Sequence, residues 1–360
     1  MACDVAALLP LMIQKEISDI HFQAEAAPAL RLHGRLVRAT NLQRLSAEDV
    51  REVAYKLMSA EQAKEFEEQD ELDFAYSLPG ISRFRVNVFR QRGTVALTLR
   101  VVPLHVRSFE QLNLPAQALA RLAEEARGLI LFTGITGAGK TTTMNSFLDH
   151  LNRTTYSRIV TIEDPVEYFH QDEKGSIVQR EVGRDTRSYA KALRSALRQD
   201  PDVIVIGEML DYETMRAAMT AAETGHLVLS TLHTMDAVQT IDRFVDAHPA
   251  HLASTVRQQL ANVLRGIVCQ RLVLSADGRG RFPATELLVV NSLARKHITE
   301  GKNAELQKLM EGGAYYGMHT FDQDILRLCQ EAKVDPKRAL ECASNPEDLA
   351  IKLRGVAAAA

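Results

Sequence analysis

Apolar residues along this chain follow two rhythms. In Arg83-Phe84-Arg85-Val86-Asn87-Val88-Phe89-Arg90 the alternation puts Phe84, Val86 and Val88 on one face of a strand and Arg83, Arg85 and Asn87 on the other. Residues 95–102 alternate similarly, strands are expected near 30–37, and helices are predicted over 5–15 and 47–69. Residues 1–100 therefore read as a small α+β domain. From residue 116 onward the rhythm changes to unbroken apolar runs at 129–133, 159–162, 203–206 and 227–232, separated by helix-length segments. Strands that are Val/Ile/Leu-rich on both faces and alternate with helices indicate a parallel α/β sheet. After a last run at 284–290 the pattern turns helical, at 292–300, 303–311, 321–332 and 336–344. The stretch 101–115, with Pro103 and Pro115 and little periodicity, is the expected linker. The division is thus 1–100, a linker at 101–115, an α/β core at 116–290 and a helical C-terminal region at 291–355. The alanine-rich 356–360 is set aside as a junction.

Composition narrows the classes. The 360 residues are 46% hydrophobic and 25% charged with 11 Pro and 19 Gly, which is ordinary globular usage. The net charge of −3 is too near neutral for wholesale binding of nucleic acid or acidic membrane, so any cationic function must be local. The longest uncharged runs, such as 128–139, fall short of the roughly 20 residues a bilayer span needs. Residues 1–20 have no secretory-signal pattern, and the expected compartment is the cytosol. The four cysteines, Cys3, Cys269, Cys329 and Cys342, form no Cys-x-x-Cys pair, which excludes a zinc ribbon or thioredoxin-type site built from near neighbours. They read as reduced, incidental thiols.

The sharpest chemical signal is Gly134-Ile135-Thr136-Gly137-Ala138-Gly139-Lys140-Thr141, a G-x-x-x-x-G-K-T loop between an apolar strand and a helix that opens at Thr142. Such a loop wraps phosphates in backbone N–H groups at a helix N-terminus, its lysine reaches the β and γ oxygens, and its threonine hydroxyl ligates Mg²⁺. The expected nucleotide contacts are Gly134, Thr136, Gly137, Ala138, Gly139, Lys140, Thr141 and Thr142. A glycine-rich turn that merely caps a helix gives no reason for the lysine.

An open α/β sheet binds ligands at the C-terminal ends of its strands, so carboxylates are sought there. The run 203–206 ends in Gly207-Glu208, as in a Walker B element, and 159–162 ends in Glu163-Asp164-Pro165. Glu163 is expected to deprotonate the attacking water, Glu208 to hold the metal directly or through water, and Asp164 to hold metal-bound water. Either acid taken alone is equally well explained as a solvated strand end. The loop decides for function. His226 and His233 bracket 227–232, and about 23 Å of strand between them prevents their sharing a metal. His233 lies at the phosphate end, where it senses γ-phosphate or contacts an acid; spacing alone also allows a structural histidine.

Between residues 81 and 107 stand Arg83, Arg85, Arg90, Arg92, Arg100 and Arg107 with no acid among them. They are either a solvated face paired with the acid-rich stretch 61–73 or a source of charge reaching the γ-phosphate of a neighbouring subunit. A second basic stripe, Arg187, Lys191, Arg194 and Arg198, lies opposite Tyr189, Leu193, Ala196 and Leu197.

Together these residues resemble the secretion-type ATPases, and within them the PilT-like retraction ATPases of type IV pili. The resemblance rests on Leu9-Pro10-Leu11-Met12 through Ser18-Asp19-Ile20-His21, on Arg83-Phe84-Arg85-Val86-Asn87, and on the phosphate loop. It also rests on Thr161-Ile162-Glu163-Asp164-Pro165-Val166-Glu167 (an Asp box), the run from Leu197 to Glu208 (an atypical Walker B) and Thr224-Gly225-His226 through Thr231-Leu232-His233-Thr234 (a His box). It implies a PAS-like N-terminal domain, a RecA-like ATPase domain with a helical tail, and a hexameric ring at the cytoplasmic face of the inner membrane. It implies ATP and Mg²⁺ as ligands, an inner-membrane pilus platform protein as partner, and a second retraction ATPase as a possible one. It assigns catalysis to Glu163, Glu208, Lys140, His233 and the arginines Arg83, Arg85, Arg92 and Arg100, and the metal to Thr141, Asp164 and Glu208. Assembly and secretion members carry an extra N-terminal domain and a four-cysteine zinc insert, neither of which is expected here. Departures from the retraction pattern are Ile135 for proline, Leu210 for arginine and Leu293-Ala294-Arg295-Lys296-His297-Ile298 for an Ala-Ile-Arg-led motif. Met318-His319-Thr320-Phe321-Asp322-Gln323 is closer to the accessory paralogue, PilU. The rival readings are an accessory subunit that hydrolyses little, an assembly or secretion ATPase, and a nucleic-acid translocase. The charge argues against the last.

Overall fold

A computed structural model of the chain describes residues 5–15, 17–32, 35–39, 43–78, 81–102 and 106–357. It divides into two compact units, 1–105 and 106–360.

The first unit is an α+β layer. Its elements are α1 (Val5–Gln14), β1 (Ile17–Phe22), β2 (Ala29–Leu32), β3 (Arg35–Arg38), α2 (Ala47–Leu57), α3 (Ala60–Gln69), β4 (Glu71–Leu78), β5 (Ser82–Gln91) and β6 (Thr94–Val102). The strands form an antiparallel sheet in the order β3-β2-β1-β6-β5-β4. As the alternation requires, Phe84, Val86 and Val88 are fully buried. Val50, Val53, Ala54 and Leu57 of α2 are buried at helical spacing, against the same sheet core. The single helix expected over 47–69 is two. Ser59, in extended conformation, accepts from the Gln62 N–H while the Gln62 side chain accepts from the Ser59 N–H, and this capping box starts a new helix.

In the second unit α4 (Ala116–Ala123) precedes β7 (Gly128–Thr133), α5 (Lys140–Thr154), β8 (Arg158–Glu163), β9 (Ser176–Glu181), α6 (Tyr189–Ala196), β10 (Val203–Ile206) and α7 (Tyr212–Glu223). Then come β11 (Leu227–Leu232), α8 (Ala237–Asp246), α9 (Ala253–Val263), β12 (Leu264–Leu274) and β13 (Arg281–Val289). The sheet order is β13-β12-β7-β11-β10-β8-β9, parallel except for the antiparallel edge strand β13. All residues of β7, β10 and β11 are buried, because helices cover both faces of the sheet. Strands β9 and β12 lie outside the expected runs. β9 is a half-buried edge strand with polar residues.

Two expected boundaries move. Val101 and Val102 end β6, whereas Phe109 and Leu114 are buried in the second unit's core with Phe147, and the Ser146 hydroxyl donates to the Arg107 carbonyl at 2.7 Å. Residues 106–115 are therefore not a free linker, and Arg107 belongs to the second unit whereas the other five arginines belong to the first. The expected C-terminal helices pack onto the second unit's core. The helices α10 (Ser292–Glu300), α11 (Asn303–Gly312), α12 (Phe321–Gln330), α13 (Pro336–Cys342) and α14 (Pro346–Ala357) contribute Ile298, Met310, Phe321, Leu328 and Leu349 to the apolar cluster under β7, β10 and β12. α14, which was not anticipated, extends to residue 357 and so into the stretch set aside as a junction. Cys269 is a buried free thiol, Cys329 and Cys342 are half-buried, and Cys3 lies outside the described residues.

Glu286 on β13 is a buried carboxylate among these helices, accepting from the Ala237 N–H at 2.9 Å and from the Phe321 N–H. Burial, aided by Asp236, pushes its pKa up to about 7. A carboxyl raised in the folded state binds its proton more tightly there than in the unfolded chain. Stability contributed by the protonated form is present at low pH and is lost as pH rises from the ordinary carboxylate range through about 7. A shift of this size corresponds to about 3 kcal/mol. Denaturant titrations at pH 5 and pH 8 are expected to show the wild type losing stability across that window and Glu286→Gln losing markedly less. Equal slopes for the two proteins would contradict this.

Candidate active site

Four neighbouring strands, β7, β11, β10 and β8, end in register at one edge: Thr133 pairs with Leu232, Ser230 with Ile206, and Ile206 with Ile162. This places the loop 134–139, His233, Gly207-Glu208 and Glu163 side by side at the carboxyl edge of the sheet. The strand-end placement expected for Glu163, Glu208 and His233 is thus the one the strand pairings give.

The loop leads into α5, whose N-cap is Gly139 in the left-handed region at φ 90°. Lys140 is the first residue of α5 and only 8% exposed. Its ammonium folds back on the loop, donating to the Gly134 carbonyl at 2.9 Å and the Ile135 carbonyl at 3.1 Å. Burial lowers its pKa, while Glu208 and Glu167 oppose that shift. A buried ammonium held by carbonyl dipoles beside exposed Thr136 and Gly137 is prepared for an anion. Thr141 and Thr142 are half-buried behind it; the Thr142 hydroxyl meets that of Tyr168 at 3.2 Å.

His233 stands between Lys140 and Glu208, with Nδ1 3.5 Å from the lysine Nζ and Nε2 3.5 Å from Glu208 Oε2. An ammonium only donates, so Nδ1 is the accepting nitrogen and the Nε2–H faces the carboxylate. Of the roles open to His233, contact with a neighbouring acid is the one this geometry contains. His226 instead meets the Ala221 carbonyl at 2.9 Å, at the other end of β11.

Glu163 closes β8 and is 4% exposed. Thr161 donates to its Oε1 at 2.6 Å and Gln179 Nε2 does so at 3.2 Å, and the Glu167 N–H donates to the carboxylate as well. Burial nevertheless raises its pKa, because the lost hydration outweighs these hydrogen bonds. A fixed, desolvated carboxylate of raised proton affinity suits a general base. Asp164, the next residue, is exposed.

Several residues of the site were not anticipated. Thr161 lies two positions before Glu163 on the same strand face, and Gln179 is Thr161's partner in β9. Period-two reasoning finds the first, but the second needs the unforeseen strand. Tyr189, expected on the apolar face of α6, has its hydroxyl beside Gly207, and burial with Glu208, Asp164, Glu163 and Glu167 drives its pKa upward. Gln270 of β12 touches the loop itself.

The arginines behave differently. Arg100 pairs with buried Asp19 at 2.7 Å, Arg85 with Asp73 at 3.6 Å, and Arg90 with Glu67 and Asp70 at 2.5 and 2.6 Å. Pairing with the acid-rich stretch thus accounts for Arg85 and Arg90, and Arg100 has an acid of its own. Arg83 is half-buried on β5, and Arg92 is exposed at the β5–β6 turn. On the second stripe, Arg194 pairs with Glu213 at 2.6 Å.

The family described as type II/IV secretion system protein matches residues 3–331. The chain belongs to that family. It is 41% identical over 345 residues to the type IV pilus retraction ATPase PilT of Pseudomonas aeruginosa, covering 96% of this chain and 99% of that one. It is 40% identical over 347 residues to the type IV pilus ATPase PilU of the same organism, covering 96% and 90%. A crystal structure of the pilus retraction motor PilT with bound ADP superposes with a TM-score of 0.89 at 42% identity, covering 96% of this chain and 98% of that one. Within this secretion family the chain is thus an ATPase homologue with the fold of that ADP-bound motor.

Proposed function

We propose that this chain is the ATP-hydrolysing motor of type IV pilus retraction, working as a ring of six copies against an inner-membrane platform protein at the cytoplasmic face. The observation that carries the reading is the meeting of Lys140, His233, Glu208 and Glu163 at adjoining strand ends, in a chain aligned nearly end to end with a protein named for retraction. Among the described residues no helix is long and apolar enough to cross a membrane. We read the first unit as PAS-like and the second as RecA-like.

In this mechanism the loop N–H groups and Lys140 receive the phosphates, the ammonium exchanging the Gly134 and Ile135 carbonyls for β and γ oxygens. Glu163, held by Thr161 and Gln179, accepts a proton from the attacking water. No group of three or more His, Cys, Asp or Glu side chains among the described residues forms a metal cage. That fits Mg²⁺, which is held by few protein oxygens together with phosphates and water. The Thr141 hydroxyl and Glu208 would hold it, with Asp164 acting through water; bound Mg²⁺ neutralises charge on the phosphate oxygens. His233 links Lys140 to Glu208 and so relates phosphate binding to the metal-side carboxylate.

Positive charge at the γ-phosphate is assigned to an arginine of a neighbouring copy, with Arg92 favoured over the already paired Arg85 and Arg100. Mixing Lys140→Ala subunits with Arg92→Ala subunits is expected to restore part of the turnover that each lacks, and no recovery would contradict a contribution in trans. Near-equal identity to PilT and PilU supports a second reading, an accessory motor that retracts only beside another. Deleting the gene tests the main proposal: twitching is expected to stop and surface pili to accumulate. Loss of pili would instead indicate assembly.

A further inference from the structure

Gln270 is a polar side chain in the buried strand β12, 4% exposed and on the sheet face that packs against α5. Its Nε2 donates to the Ala138 carbonyl at 2.7 Å, and its Oε1 accepts from the Thr143 hydroxyl at 2.6 Å. A carbonyl has no proton to give, so the amide nitrogen must face Ala138 and the oxygen must face Thr143. The loop lies flush against this residue. A Cβ at Gly139 would come 2.6 Å from Gln270 Nε2, and one at Gly134 would come 2.4 Å from the Gln270 carbonyl oxygen.

The Ala138 carbonyl and the Gly139 N–H belong to one planar trans peptide and point in opposite directions. Holding the oxygen outward toward β12 therefore turns the Gly139 N–H inward, to the side where the loop receives phosphate. We propose that Gln270 is a positioning residue for the nucleotide: it sets the Ala138–Gly139 peptide, and through it phosphate affinity, without touching the ligand. This inference rests on the phosphate-site reading of the loop.

Because the Gly139 N–H meets the phosphates before and during reaction alike, its misplacement weakens both states together, raising KM while leaving kcat nearly unchanged. Gln270→Met keeps length and removes both hydrogen bonds. Gln270→Glu keeps the acceptor for Thr143 and removes the donor to Ala138, so it serves if the methionine variant folds poorly. The full-length variants are titrated with fluorescently labelled ADP and assayed for ATP turnover, with Lys140→Ala as reference. We expect ADP binding at least tenfold weaker in the folded variants, KM for ATP raised in proportion, and kcat at saturating ATP within about threefold of wild type. ADP affinity within twofold of wild type, with Lys140→Ala clearly weakened, would overturn the positioning role. So would a fall in kcat at unchanged KM, the mark of a reduced folded fraction. Undiminished ADP binding by Lys140→Ala would overturn the phosphate-site reading and this inference with it.

Discussion

Lys140→Ala is expected to abolish steady-state ATP turnover and to weaken nucleotide binding together. The ammonium is the cation inside the phosphate loop, prepared for an anion by two carbonyl contacts and by burial. Hydrogen bonds to charged groups contribute about 1.5–3 kcal/mol, which places the loss of ADP affinity at roughly 10- to 100-fold. The loss of turnover is larger, because the lysine also meets charge that grows on the transferring phosphoryl group. Removing one preorganised donor to developing charge costs about 10²–10³ in rate, and this is the lower bound expected here. Calorimetric titration with ADP and a phosphate-release assay check the two halves separately. Retained turnover would contradict the role assigned to the loop.

Glu163→Gln is expected to separate what Lys140→Ala loses together. The side chain keeps its size and can still accept from Thr161, and it lies outside the phosphate loop, so ATP binding should stay within a few-fold of wild type. Turnover is expected to fall by about 10²–10⁴, the range attributed to a positioned general base. The pH profile adds a second mark. A raised carboxyl pKa moves the acidic limb of the wild-type kcat profile above the ordinary carboxylate range, since the base is lost when it takes up a proton. That limb should vanish in Glu163→Gln. Undiminished turnover would remove Glu163 from the mechanism.

The parts of the fold legible in the sequence were those where one physical requirement dominates. β10 and β11 occupy 203–206 and 227–232 as expected, because a parallel strand covered on both sides has to be apolar throughout. β9 escaped because an edge strand needs no such run, and Ser176–Glu181 is polar at four of its six positions. The break at Ser59 was written in a capping box that helical periodicity alone passes over. In the site, the loop and the strand-end acids were legible because phosphate binding demands glycines and a lysine at fixed spacing. The supporting residues were not. Gln179 and Gln270 reach Glu163 and Ala138 across strand pairings that join positions distant in sequence. The arginines were legible in part. The acid-rich stretch 61–73 supplies the partners of Arg85 and Arg90, whereas Asp19, which pairs Arg100, lies on a strand distant in sequence.

ATP turnover at this site is expected to shorten a pilus, and single labelled pili in cells whose only retraction-type ATPase is this chain test that most directly. Pili are predicted to shorten with the wild-type protein and to stay static with Glu163→Gln. Shortening that persists with Glu163→Gln, or static pili with wild-type protein whose ATPase activity is intact, would contradict the account.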